Sequence, residues 1–361
     1  MIKNVKLQKF KTDIVIIGAG LTGLTLAYLL KKRGIEFIIL EARNRLGGRI
    51  LTDYQEKGAP IEKGATWLGR KHQYLFRLLQ ELNIDTFRQE LGDTAIYEPI
   101  STSPHQIVQL PPNNDPSYRV AGGTSTIIDS LSNSIDADRL LLNQVASKIK
   151  DDGEHLNVMT QDTSYTTRIV VSTLPPNLLV SSIAFQPGLP ESLESLARNT
   201  HTWMGESIKI GLSFDKPFWR HQNSSGTIFS NVGPIPEMYD HSDYTDSTYA
   251  LKGFLNSSYY SITKEERKNL VLNQLQKYYG KAVNRFHSYE EMVWRNEKFT
   301  FSSYNSHILP HQNNGHPIFT NKFLNGKLII GGSETAREYP GYMEGAVRSA
   351  KFILAQILES T

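Results

Sequence analysis

The chain has 361 residues, a formal net charge of +3 at pH 7 and no cysteine. That length allows two domains that share a large core, and the small net charge without a basic cluster excludes the electrostatic footprint of a nucleic-acid-binding protein. The lack of cysteine excludes disulfides, thiolate metal ligands, a cysteine nucleophile and a thioether bond to a cofactor. Because neither a signal-peptide core nor an apolar run of about 18 residues is present, we expect a cytoplasmic protein without membrane contact.

A strand, a glycine turn and a helix follow one another near the N-terminus. The run IVII before Gly18 is apolar and β-branched, which is typical of a strand buried on both faces of a parallel sheet. Gly18, Gly20 and Gly23 form G-x-G-x-x-G, whose glycines permit a tight turn, close approach of the backbone to a pyrophosphate, and close packing of helix on strand. The helix that begins at Leu21 and Thr22 would face a phosphate with its free amides.

A carboxylate ends the second strand of the same unit. The run FIIL leads to Glu41, 18 residues after Gly23, close to where dinucleotide folds place the acid that accepts a hydrogen bond from a ribose. Taken alone, G-x-G-x-x-G is equally consistent with an ordinary glycine loop. The order of strand, helix, strand and acid within one βαβ unit favours a site for an adenine dinucleotide.

The segment after Glu41 narrows the choice of cofactor. It offers two arginine cations to phosphates, and two adjacent glycines let the backbone pass close to the cofactor. The residues concerned are Ala42, Arg43, Gly47, Gly48 and Arg49. Together with Glu41 this run resembles the second signature of the flavin-containing amine oxidase family, E-A-R-x-R-x-G-G-R. The resemblance covers residues 12–82 and 118–358, and it implies FAD rather than NAD.

The same resemblance implies further FAD contacts. By resemblance, Glu334 bonds the ribityl chain, and the helix that begins near Met343 directs its positive end at the pyrimidine edge of the flavin. On their residue types alone, Trp67 and Val145 are equally consistent with core side chains. The implied contacts are Ala65, Thr66 and Trp67 within a G-x-x-W-x-G element at Gly64 to Gly69, then Val145, Trp294, Gly332, Ser333, Glu334, Gly341, Tyr342 and Met343.

Periodicity and resemblance together predict an α/β fold with two domains. We expect a Rossmann-like FAD-binding domain from residues 1–70, 118–198 and 297–361, and a mixed-sheet α+β substrate domain from residues 71–117 and 199–296. The substrate sheet is predicted from strict alternation over 207–214, joined by strands at 227–230 and 248–255. Other predicted elements are a helix with Leu75, Leu78, Leu79 and Leu82 on one face, a continuous strand over 140–149 that contains Val145, and a capping box at Thr263 to Glu266.

Residues 83–117 depart from the family pattern. Pro99, Pro104, Pro111 and Pro112 exclude a long helix there, whereas the family usually has a longer, mostly helical segment that roofs the substrate cavity. We therefore expect an irregular loop and a wider cavity, which a second copy of the chain or another partner could cover.

Lys209 is the first candidate for chemistry. On composition alone it would be a solvated lysine on the wet side of a half-buried strand. In the family, the lysine of this strand precedes a Phe-Trp pair, points at the flavin and holds a water near N5. Lys209 precedes Phe218 and Trp219, so the resemblance favours the functional interpretation.

Two tyrosines form the second candidate. Most tyrosines are core or surface aromatics, but Tyr304 and Tyr342 match the positions of the two parallel rings that flank the substrate amine in monoamine oxidases. Ser303 stands where the mitochondrial enzymes have the cysteine that binds flavin, so we expect non-covalent FAD.

The sequence therefore predicts a flavin-dependent amine oxidase. It would convert a small-molecule amine and dioxygen into an imine, then an aldehyde or ketone with ammonia or an amine, and hydrogen peroxide. Alternatives are an FAD-dependent oxidase or desaturase acting on a carbon-carbon bond, or a non-catalytic FAD-bound subunit. A metal site at His307, His311 and His316 is not expected, because Pro310 and Gly315 break any helix that would align them.

Overall fold

A computed structural model describes residues 8–220 and 224–359. Within them the chain forms two large β-sheets with helices packed against them. The strands are β1 (Gln8–Ile17), β2 (Phe37–Leu40), β3 (Thr52–Asp53), β4 (Ile61–Glu62), β5 (Leu68–Gly69), β6 (Thr86–Arg88), β7 (Thr94–Glu98), β8 (Gln106–Gln109), β9 (Ser117–Val120), β10 (Leu140–Leu141), β11 (Lys148–Asp151), β12 (Leu156–Met159), β13 (Thr163–Ser172), β14 (Ala184–Gln186), β15 (Ile208–Phe214), β16 (Ser224–Ser230), β17 (Glu237–Asp240), β18 (Tyr249–Leu255), β19 (Phe286–Val293), β20 (Lys322–Phe323) and β21 (Leu328–Ile330). The helices are α1 (Leu21–Lys31), α2 (Gln73–Glu81), α3 (Ser125–Asn133), α4 (Pro176–Ser182), α5 (Glu191–Arg198), α6 (Lys264–Tyr279) and α7 (Met343–Leu358).

The predicted βαβ unit lies at the centre of the first sheet. The sheet runs β10-β2-β1-β13-β12-β11-β14, and β21 with β20 extends it from the last residues of β13. Strands β10, β2, β1, β13 and β21 run parallel to one another, as the apolar runs predicted, whereas β12 and β20 are antiparallel to β13 and β21. Helices α1 and α7 cover one face of this sheet. Because α1 follows β1 and α7 follows β21, the N-terminal ends of both helices lie at the carboxyl edge of the strands.

The continuous strand predicted over 140–149 is wrong. The segment forms two short strands, with β10 at one edge of the sheet and β11 next to β14 at the other, and a turn and an irregular connection lie between them. Asn143 has a φ of +57°, and its backbone amide donates to the carbonyl of Arg43. This turn ends the pairing with β2 and carries Val145 out of the sheet. Val145 is 43% exposed, which excludes the core interpretation.

The second sheet contains the strand of Lys209. Its order is β19-β15-β18-β17-β16-β7-β8, and it includes both additional strands predicted from the sequence. One face packs against α6 through Val271 and Leu275, and α6 begins with the predicted capping box at Thr263 and Glu266. Every residue of β15 is buried, so the solvated interpretation of Lys209 does not hold.

The irregular loop predicted for residues 83–117 is also wrong. The segment forms β6, β7 and β8 and leads into β9; β7 pairs in parallel with β16, more than 100 residues away, and with β8 in a hairpin. The prolines lie in the connections and not in the paired positions, where they would remove ladder hydrogen bonds. The predicted absence of a long helix holds for this segment, because its residues form strands and turns.

Helix α2 packs against the first sheet rather than the second. Its buried residues Leu75, Leu78 and Leu79 belong to the same core as α1 and α7, and Leu82 follows the helix end and is partly buried. We therefore propose that the FAD-binding domain includes residues 71–82 in addition to the predicted segments. Over residues 8–220 and 224–359, none of the helices combines the length and the apolarity that crossing a bilayer requires.

A buried carboxylate connects α2 to α7. Glu344 is fully buried and accepts hydrogen bonds from the backbone amides of Tyr74 and Leu75, at 3.3 and 2.8 Å, and from Arg348 at 2.6 Å. It therefore satisfies free amides at the N-terminus of α2, which lacks a side-chain cap of its own.

We expect Glu344→Ala to lower the free energy of unfolding by about 1 to 3 kcal/mol, because it leaves the backbone amides of Tyr74 and Leu75 without an acceptor and removes one of the two carboxylates that bind Arg348. Urea unfolding followed by circular dichroism measures this loss. Glu338→Ala is the matched control, since Glu338 also pairs with Arg348 but is 66% exposed. Equal losses in the two variants would contradict the capping role.

Candidate active site

A cavity of about 620 Å³ lies between the two sheets, at the carboxyl ends of β1 and β2. It is lined by most of the residues that the sequence assigned to a cofactor: Gly18, Gly20, Leu21, Thr22, Glu41, Ala42, Arg43, Gly47, Gly48, Arg49, Ala65, Thr66, Trp67, Val145, Trp294, Ser333, Gly341, Tyr342 and Met343. Gly23, Gly332 and Glu334 lie behind this lining. The cavity brings together segments that are more than 300 residues apart in the chain.

Two glycine pairs shape the floor of the cavity. Gly48 has a φ of +58°, and a Cβ there would lie 3.2 Å from the Cα of Gly20, so the two backbones meet without side chains between them. A Cβ at Gly23 would collide with the carbonyl oxygen of Gly18, which agrees with the predicted role of Gly23 in packing α1 on β1. The bare backbone at Gly20 and Gly48 fits a pyrophosphate held at the N-terminus of α1.

Glu41 is positioned by backbone amides. Its two carboxylate oxygens accept from the amides of Ala19 and Arg43, each at 2.9 Å, and it is 4% exposed. A carboxylate has about four acceptor positions, so these two bonds fix the group and leave further positions for ribose hydroxyls. Glu41 therefore fits the ribose contact expected from its place after β2.

Arg43 and Arg49 of the second signature both bind carboxylates. Arg43 donates through two nitrogens to Glu297, each at 3.1 Å, and Arg49 donates to both oxygens of Glu334, at 2.5 and 2.8 Å. Although burial alone would raise the pKa of Glu334, the contact with Arg49 lowers it. The expected role of these cations in binding phosphate stays a prediction, and the observed role of Arg49 is to hold Glu334 ionised beside the cavity.

Lys209 reaches the cavity from the second sheet. Its ammonium donates to the carbonyl of Gly64 and lies 5.4 Å from the centre of the Phe254 ring. Burial lowers the pKa of Lys209 to about 8, because a charged amine is poorly solvated there. The adjoining residue Lys63 accepts a hydrogen bond at its carbonyl from Trp294, at 2.8 Å. Lys209 and Trp294 thus hold the same backbone segment from the second sheet.

The two predicted tyrosines have different surroundings. Tyr342 lines the cavity, and its ring lies 5.8 Å from that of Trp203. Tyr304 is not part of the lining; its ring contacts Phe301 and His201, and its hydroxyl accepts from the amide of Thr202 at 2.8 Å. The aromatic neighbour of Tyr342 inside the cavity is therefore Trp203.

Sequence reasoning missed several lining residues, among them Trp203, Met204, Glu237 and Phe254. Glu237, Phe254 and Lys209 are paired partners on the adjacent strands β17, β18 and β15, so their side chains form one row on the face towards the cavity. The sequence signal that could have indicated this row is the run ALKGFL at residues 250–255, where a lysine interrupts an apolar strand. Trp203 carried no signal, because its position depends on a loop.

The fold and cavity define a flavin-dependent oxidoreductase, and comparison with known proteins gives its family. The model of the family described as flavin-containing amine oxidoreductase matches residues 21–106 and 102–353. The chain belongs to this family. It is accordingly an enzyme that uses FAD to oxidise amines.

Relatives of the chain resemble it over nearly its whole length at low identity. The probable flavin-containing monoamine oxidase A of Dictyostelium discoideum is 24% identical, with 93% of this chain and 95% of the relative covered. The flavin-containing amine oxidase B of Sus scrofa is also 24% identical, with 97% and 86% covered. The second alignment spans 458 positions, more than this chain has residues, so that relative contains segments that are missing here.

Solved structures share the fold. Putrescine oxidase bound to putrescine has a TM-score of 0.84 at 21% identity, with 97% of this chain and 100% of that chain covered. Cyclohexylamine oxidase from Brevibacterium oxydans has a TM-score of 0.84 at 20% identity, with 97% and 99% covered.

We expect acid precipitation to release all the flavin from the holoenzyme, because the chain has no cysteine and Ser303 lies outside the cavity lining. Flavin absorbance in the supernatant and in the washed pellet measures how much flavin each fraction contains. A yellow pellet would contradict this expectation and indicate a bond to histidine or tyrosine.

Proposed function

We propose that the chain is an amine oxidase that uses dioxygen as its electron acceptor. The substrate amine becomes an imine, which water converts to an aldehyde or ketone with ammonia or an amine, and dioxygen becomes hydrogen peroxide. The observation that carries this proposal is the buried amine of Lys209, which lines the same cavity as the FAD signature residues and the ring of Tyr342. FAD supplies the redox chemistry by accepting a hydride equivalent from the substrate and reducing dioxygen.

The protein would bind and orient the substrate and exclude water from around it. Tyr342 and Trp203 offer ring faces to an uncharged amine and exclude water around it. Met343 begins α7 directly after Tyr342, so the positive end of this helix lies beside the cavity and favours negative charge there by roughly 0.3 to 2 kcal/mol. Lys209 adds a second source of positive potential at the opposite wall.

Glu237 supports a narrower substrate class, an amine that carries a second cationic group. It is the acid of the row that includes Phe254 and Lys209, and it lines the cavity with one hydrogen bond, accepted from Tyr239 at 3.0 Å. Because Lys209 and Glu237 stand two strands apart, their backbones are separated by about 10 Å. A distal ammonium could therefore bind Glu237 while the reacting amine lies against the rings of Tyr342 and Trp203. The putrescine bound by one structural neighbour is a diamine of this kind.

Anaerobic titration of the holoenzyme with a panel of amines tests the proposal. We expect amines to bleach the yellow flavin and diamines to do so at lower concentration than monoamines of equal length. Glu237→Gln should raise the KM for the diamine about tenfold or more and change that for the monoamine little, since a lost charge contact is worth 1.4 kcal/mol or more.

Two results of the titration would contradict the proposal. Bleaching by hydrophobic substrates that can be oxidised at a carbon-carbon bond, but not by amines, would favour the oxidase or desaturase alternative. A flavin that no substrate bleaches would favour a non-catalytic subunit.

Lys209→Met should leave FAD bound and reducible by amine, and it should slow reoxidation by dioxygen about tenfold or more, the effect of losing 1.36 kcal/mol of transition-state stabilisation. The reason is that the lost positive charge acts on the step in which dioxygen is reduced. Rapid mixing of the reduced enzyme with oxygenated buffer measures this rate. Unchanged reoxidation would show that Lys209 only holds the Gly64 segment in place.

Alanine variants of Trp203, Tyr304 and Tyr342 separate the observed ring pair from the one implied by resemblance. We expect the effects of Trp203→Ala and Tyr342→Ala on kcat/KM to be non-additive, because both rings contact the same amine, and those of Tyr304→Ala and Tyr342→Ala to add. A double-mutant cycle for each pair gives the answer. Strong coupling of Tyr304 with Tyr342 and additivity of the other pair would restore the predicted tyrosine cage.

A further inference from the structure

A second buried lysine lies directly behind Lys209. Lys252 is fully buried on β18, and its strand partner Gly211 is two residues from Lys209 on β15. Its amine donates to the hydroxyl of Thr66 at 2.6 Å and lies 4.0 Å from the centre of the Trp67 ring. Lys209 and Lys252 therefore hold the same short segment, one at the carbonyl of Gly64 and the other two residues further on.

Among the parts of the chain described, the surroundings of the two amines provide no carboxylate in an ion pair with either of them. Their hydrogen-bond acceptors are a carbonyl and a hydroxyl. Burial lowers the pKa of both, that of Lys209 to about 8, and repulsion by Lys209 further lowers the pKa of Lys252. The charged and titratable groups around the pair are Glu62 on β4, Arg119 on β9, Glu237 and Tyr239 on β17, Arg49, and His241.

The order of protonation follows from these surroundings. Lys209 takes its proton first, because its pKa is the less depressed of the two. Lys252 then takes its proton at lower pH than an ordinary lysine, because burial and the neighbouring Lys209 both lower its pKa. A negative charge that appears in the cavity attracts both amines through a poorly screening interior, and it therefore favours the doubly protonated pair.

We propose that Lys252 is a proton-storing residue that binds a proton when the flavin is reduced and releases it when the flavin is reoxidised. The proposal rests on the proposed function in its use of FAD and of dioxygen as the electron acceptor. Two-electron reduction to the anionic flavin consumes two electrons and one proton, and Lys252 binds a second proton at its amine. On reoxidation dioxygen receives two electrons and one proton from the flavin and a second proton from solvent, which gives hydrogen peroxide, and Lys252 releases its stored proton to solvent. Lys252 acts through the electric field and through Thr66 and Trp67, so it is a positioning residue rather than a catalytic one.

The pH dependence of the flavin midpoint potential tests this proposal without substrate or dioxygen. For a two-electron couple, one proton gives about 30 mV per pH unit and two protons give about 59 mV. Below about pH 8, where Lys209 is already protonated, we expect a steeper slope in the wild-type holoenzyme than in Lys252→Met. The protonation of the flavin itself is common to both proteins and cancels in the comparison.

Two further variants separate charge from structure. Lys252→Arg should show the shallow slope of Lys252→Met but a more positive potential, because its charge is permanent. Lys264→Met, which removes a lysine 57% exposed at the start of α6, should retain the wild-type slope and potential.

Equal slopes in the wild type and Lys252→Met would overturn the proposal, even if amines still bleach the flavin. If the Lys252 variants fail to bind FAD, an indicator dye can count the protons taken up by the wild type during photoreduction. A count below about pH 8 no larger than that of free FAD under the same conditions would also overturn it.

Discussion

The packing of residues 58–67 against β15 determines where the remainder of the site lies. A Cβ at Gly58 would lie 2.5 Å from the Cβ of Ser213, and a Cβ at Gly211 would collide with Ile61. The backbone of residues 58–67 therefore contacts β15 directly, with no room for another side chain between them. This contact joins the two sheets, and it is why the polar face of β15 is dry. A lysine on that face must find its partners in the segment itself, as Lys209 does at Gly64.

Local sequence patterns were enough to predict the FAD-binding half of the site. The other half depends on the pairing of strands that are distant in the chain. The turn at Gly18 to Gly23 and the acid at Glu41 belong to one βαβ unit, so their spacing in the chain determines their spacing in space. Glu237 reaches the cavity only through the pairing of β17 with β18 and of β18 with β15. The register of strands that far apart is set by tertiary packing, which no window of sequence contains. The strands in residues 83–117 were missed for the same reason, since β7 pairs with β16.

Charge balance explains why the second signature is rich in arginine. Glu334 is fully buried, and a buried carboxylate is stable only with a paired cation or several donors. Arg49 supplies two bonds, and Ser333 and the amide of Trp203 supply others. Resemblance to a family identifies such an arginine as a cofactor residue, whereas the contacts show that it also fixes an acid and, through Trp203, an aromatic wall of the cavity.

The hairpin of residues 83–117 leaves substrate selection to the cavity itself. Strand β8 lies at the far edge of the second sheet, five strands from β15, or about 24 Å at the usual strand spacing. None of residues 83–117 lines the cavity; their nearest influence is Gln89, which accepts from the indole of Trp67 and donates to the carbonyl of Asp240. Residues 83–117 thus extend a sheet and orient one ring. In the proposed function, discrimination between amines therefore depends on groups already in the walls of the cavity, which are the ring faces of Tyr342 and Trp203 and the carboxylate of Glu237.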